Sequence, residues 1–158
     1  MNRARNILLL ILLGISIVFL IYAAVTLYHV SESFVLWNPE LAPMQVPLLI
    51  LSYGVILMLL GMFAIAMYLV LVSNKQNIFQ TNTVRWLNRM GHLSLIAFSF
   101  MLIMFVYGYV KLGTELGLPG GYMIVAGGFL FLASNVFYFM GTLFRQAVAF
   151  KEENELTV

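Results

Sequence analysis

The chain reads as an all-α integral membrane protein, four transmembrane helices in an up-down bundle with a short amphipathic cytoplasmic helix before the third span. Three observations predict this. Apolar residues make up 63% of the chain and charged residues 9%, where a soluble domain carries about 25% charged residues to wet its surface. Four long runs contain no Asp, Glu, Lys or Arg. The basic residues collect between those runs on one side of an alternating path.

A hydrocarbon core of about 30 Å needs roughly 20 apolar residues at 1.5 Å per residue. The first run, 7–28, follows Arg3 and Arg5. A basic start before an apolar core also fits a signal peptide, but this core is long and Tyr22-Ala23-Ala24 is a poor cleavage site. It is read as a retained span. The second run, 46–72, is long enough to tilt or to end in the interface. The third is 93–110 and the fourth 122–144, followed by a tail, 145–158. Together they form a single membrane domain over 1–158. Tyr22, Tyr28, Trp37, Trp86, Tyr109 and Tyr122 sit at or near the run ends, where amphipathic rings favour the headgroup layer.

Short loops rich in Lys and Arg stay in the cytoplasm. Arg3, Arg5, Lys75, Arg85, Arg89, Arg145 and Lys151 all fall on one side, and only Lys111 on the other. Both termini and the middle loop are therefore expected in the cytoplasm.

In lipid, helices associate through close contact at small residues. Gly127, Ser134 and Gly141 recur every seven residues in the fourth run, and Gly54 and Gly61 do so in the second; Ser94 and Ala97 serve the third. Asn135, beside the fourth-run stripe, needs a partner inside the bundle because an amide in lipid is costly. The same stripes suit a contact between copies of the chain, so internal packing and a homo-oligomer stay open alternatives.

The outward loops are short of chemistry. Segment 29–45 carries His29, Glu32, Glu40, Pro39 and Pro43 and reads as an irregular cap on the membrane. His29 and Glu32 share a helical face, but a metal would need a further ligand. In segment 111–121, Leu118-Pro119-Gly120-Gly121 reads as a turn into the last helix. With no cysteine in the chain, thiolate metal and redox chemistry are excluded. No metal or cofactor site is read from the remaining residues.

On the cytoplasmic side, Thr81, Asn82 and Thr83 offer caps. Val84, Leu87 and Met90 then line one face of a helix, while Arg85, Asn88, Arg89 and His92 line the other. Basic residues here anchor the loop to anionic lipid at about 1 kcal/mol each. They also offer a docking face. The tail continues at helical spacing through Ala147 and Phe150 and ends Lys151-Glu152-Glu153-Asn154-Glu155-Leu156-Thr157-Val158. Its acids repel anionic headgroups, or pair with Arg85 or Arg89 across the cytoplasmic face.

That tail resembles the terminal signature of the YoaS-like bacterial membrane proteins, small four-span proteins of unknown function. Glu155 stands where that family commonly has Asp, and Val158 where it has Ile. The middle loop is also similar, with Phe79 before a polar cap and an Arg-bearing helix up to Gly91; Ile78 replaces a frequent Pro. The resemblance implies no enzyme activity. It also implies a partner, because such proteins are often encoded beside a small helix-turn-helix transcriptional regulator.

The expectation is thus a non-enzymatic protein of the bacterial inner membrane that binds or restrains a cytoplasmic regulator, with Arg85, Arg89, Glu152, Glu153, Glu155 and Leu156 as its docking set. The alternative is an accessory subunit of a transporter or a passive pore, lined by Ser52, Ser94, Ser99, Ser134 and Asn135. No span interior holds Asp, Glu, His or Lys, which disfavours ion-coupled transport. Catalysis would need a nucleophile with a base, paired carboxylates or a metal, and His29 and His92 belong to opposite faces. Two arginines on one short helix make no phosphate-tracking stripe, so direct nucleic-acid binding is not expected.

Overall fold

The computed structural model describes residues 3–75 and 81–156, with side chains for residues 4–72, 81–113, 115–151 and 153. Four α-helices follow in order: α1 (Arg3–Trp37), α2 (Ala42–Lys75), α3 (Thr81–Leu112) and α4 (Gly117–Leu156). Short 3-10 turns at Pro39–Leu41 and Gly113–Leu116 make the connections at the end away from the termini. Each helix is long and apolar enough to cross a bilayer. The chain is a multi-pass membrane protein built as a four-helix bundle.

The helices outrun the apolar stretches. The 35 residues of α1 span about 52 Å and the 40 of α4 about 60 Å, against a hydrocarbon core of about 30 Å. Their ends therefore project into the interfaces. Segment 29–45 is not the irregular cap its prolines suggest: α1 runs on to Trp37 and α2 begins at Ala42. Pro43 sits in the first turn of α2, where its missing N–H has no helical partner to lose. Pro47 lies inside α2. Likewise Pro119 and Gly120 belong to the first turn of α4, not to the turn before it. The reversal is made by Gly113 (φ +56°) and Gly117 (φ +42°), in the left-handed region where a Cβ is strained. The amphipathic segment 84–92 is the opening of α3 itself, continuous with the span, and it buries Val84, Leu87 and Met90.

The helices contact in chain order: α1 on α2, α2 on α3, and α3 on α4. Among the described residues no contact closes α1 against α4, so the bundle is open on that side. The most apolar window of α1 has none of its residues buried. Its one glycine, Gly14, has nothing within 4 Å of where a Cβ would stand. α1 packs against α2 without such a glycine contact.

The tightest seam joins α3 and α4. Ser94 Oγ donates to the Leu130 carbonyl of α4 at 2.7 Å, and Ser134 Oγ donates to the Gly91 carbonyl of α3 at 3.0 Å. Both serines are fully buried. Two hydroxyls thus exchange bonds across the seam in opposite directions, which only close-approaching backbones permit. Gly91 makes room for the Tyr138 ring, whose carbons would lie 2.9–3.1 Å from a Cβ there. Phe98 and Phe131 pack at 5.3 Å between centroids. Between α2 and α3, Gly54 leaves space for Phe100 and Gly61 for Leu93. At the far end Leu116 is buried between Gly108 and Gly120, locking the reversal between α3 and α4.

Candidate functional site

The termini end of the bundle carries most of the residues singled out from the sequence. Arg85 and Asn88 on the first turns of α3 face the last turns of α4, where Arg145, Val148 and Ala149 stand. Thr81 and Val84 complete an open hollow of about 410 Å³. Gly141 explains how Asn88 gets there: a Cβ on Gly141 would collide with Asn88 Oδ1, so the glycine admits the amide to the seam. Arg85 and Arg145 are both exposed. Among the described residues the hollow is lined by these two guanidiniums and no carboxylate. Arginine presents planar, forked donors suited to carboxylates.

Arg89 does not share this hollow. Its Cζ lies 4.5 Å from the centroid of Trp86, whose ring leans on Tyr68 of α2 at 5.3 Å. Such cation–π contacts contribute about 0.5–1 kcal/mol at exposed positions; this one lies within α3, and the Trp86–Tyr68 ring contact is what reaches α2. The reason is angular: residues four apart on a helix share a face only partly, and here α2 and α4 flank α3 on different sides. Arg145, placed in the sequence only by its charge, takes the position beside Arg85.

The tail extends α4 to Leu156, so Glu152, Glu153, Glu155 and Leu156 are helical. Glu153 is exposed. The side chains of Glu152, Glu155 and Leu156 lie outside the described residues, as do Ile78 and Phe79.

Among the packing residues, Gly127, Ser134 and Gly141 are all buried, while Gly54 and Gly61 are half-buried. Asn135 departs from expectation. It is exposed, and its Nδ2 donates to the Phe131 carbonyl of its own helix at 2.8 Å. One residue turns a helix by about 100°, which carries Asn135 off the Ser134 seam and onto the outer face. Its amide is satisfied one turn back rather than across the bundle.

His92 is held by Tyr138, hydroxyl to Nδ1, at 2.7 Å. At the other end His29 Nδ1 is 3.8 Å from Glu32. Among the described residues no three His, Asp or Glu side chains gather as metal ligands do.

Residues 36–158 match the model of a family described as "Protein of unknown function (DUF2975)". No curated protein and no solved structure matches the chain.

Proposed function

From the premise that the chain belongs to the DUF2975 family, we propose that it is a non-enzymatic docking protein of the bacterial inner membrane, both termini cytoplasmic, that binds an acidic segment of a cytoplasmic regulator. One observation carries the reading: Arg85 and Arg145 line a single hollow, with no carboxylate among the described residues that line it. An acidic segment entering it gains two charge-assisted contacts. The basic residues at this end support the orientation by the positive-inside rule. The YoaS-like tail supports the choice of partner, a small helix-turn-helix regulator encoded nearby. A non-enzymatic role is supported by the histidines, one engaged with Tyr138 and the other beside Glu32 at the opposite end.

The pore or transporter-subunit reading finds less support. Ser94 and Ser134 spend their hydroxyls on the α3–α4 seam, Ser99 and Asn135 bond their own helix, and Ser52 points to the Met104 sulfur. These groups do not share a path.

The test is co-purification of the neighbouring regulator with the full chain, with an Arg85→Glu/Arg145→Glu variant, and with a chain lacking residues 152–158. Each altered chain should insert in the membrane and lose the regulator at least tenfold. Full retention by the charge-reversed chain overturns the proposal.

A further inference from the structure

The end of the bundle away from the termini encloses a second, larger feature. A cavity of about 430 Å³ lies there, within the roughly 300–1,000 Å³ of small-molecule sites. All four helices and both 3-10 turns contribute to its wall. Gln45 Nε2 donates to Ser31 Oγ at 3.0 Å, tying α2 to α1 along one side. The Leu116 plug and Gly108 close the other side. The wall is mainly apolar, with Phe34, Leu48, Leu112 and Met123 among its residues.

Two charged groups line it: Glu40 from the first turn and Glu115 from the second. Both are exposed at its edge. Among the described residues no Lys, Arg or His lines the cavity, and Lys111 is exposed outside it. Among the described residues neither carboxylate makes an ion pair or a hydrogen bond. Two carboxylates beside one apolar cavity repel an anionic headgroup and attract a cationic one. An uncharged acyl chain would fill the apolar part and leave that charge unanswered.

We infer that this cavity binds one cationic amphiphile, an alkylammonium whose head meets Glu40 and Glu115 and whose chain lies among Phe34, Leu48, Leu112 and Met123. The apolar wall supplies the affinity and the two acids choose the headgroup. The site is separate from the Arg85–Arg145 hollow, and neither proposal depends on the other.

Decyltrimethylammonium is the probe, titrated calorimetrically into the full chain in zwitterionic lipid nanodiscs, with empty discs as the blank. Saturable binding of one cation per chain is expected above the blank. Glu40→Gln/Glu115→Gln should weaken it at least tenfold, and each single change severalfold, while Glu32→Gln, outside the lining, leaves it unchanged. Decanol should bind at least tenfold more weakly than the cation to the unaltered chain. The Arg85→Glu/Arg145→Glu chain should bind the cation as the unaltered chain does. The inference is overturned by a signal no larger than the blank, by equal binding in the folded double Gln chain, or by decanol matching the cation, which would mark an ordinary acyl-chain pocket.

Discussion

Ser134 and Asn135 are adjacent in sequence and have opposite fates, which separates polarity from position. Ser134 is buried and bonds across to Gly91, whereas Asn135 is exposed and bonds back to Phe131. Seven-residue spacing put Ser134 on one face with Gly127 and Gly141, and the structure buries all three. Polarity alone suggested the same for Asn135, but a short amide can satisfy itself on its own helix, and the sequence gives no sign of that choice. The difference has a measurable outcome. Removing either seam hydroxyl, by Ser94→Ala or Ser134→Ala, should cost about 0.5–1.5 kcal/mol, the range of hydrogen bonds between membrane helices. Asn135→Leu should leave the unfolding free energy in detergent unchanged or raise it. A larger loss from Asn135→Leu than from Ser134→Ala would place the amide in the seam after all.

At the scale of elements, helix existence was legible and helix ends were not. Uncharged runs reveal the part of a helix in hydrocarbon, because only there is composition forced. Beyond it a helix continues on backbone bonds alone, so α1 reaches Trp37 and α4 reaches Leu156 without an apolar signature. The prolines misled for a related reason: Pro43 marks the start of α2 rather than a break in it. The Leu116 plug, and the cavity it helps to close, draw on residues from separate parts of the chain, so no local pattern announces them. The docking hollow was half legible. Arg85 came from the face of α3, but its companion Arg145 required the register of α3 on α4. Close approach also makes a prediction for whole elements. Gly54→Leu must displace Phe100, which a Cβ would already meet at 2.7 Å, and should destabilise the α2–α3 pair by about 1–3 kcal/mol. Gly128→Leu, where nothing lies within 4 Å, should leave the melting temperature in detergent close to that of the unaltered chain.

For the molecule as a whole, the proposed orientation sets the docking hollow in the cytoplasm and the cavity on the outside. Protease added to intact spheroplasts should cleave a tag inserted after Asn38 and spare one fused to Val158; the opposite pattern overturns the orientation. The open side of the bundle then takes on a further meaning. The family match begins at residue 36, close to where α1 ends, and among the described residues α1 touches α2 but neither α3 nor α4. α1 thus packs on a single neighbouring helix, and on the proposed orientation it also has a directional part. With three spans instead of four, the basic ends of α3 and α4 would still be retained inside, and the opening turn of α2 would have to cross the bilayer with nothing ahead of it to lead the way. On the proposed orientation, α1 would carry the start of α2 across the bilayer during biogenesis, besides packing against it.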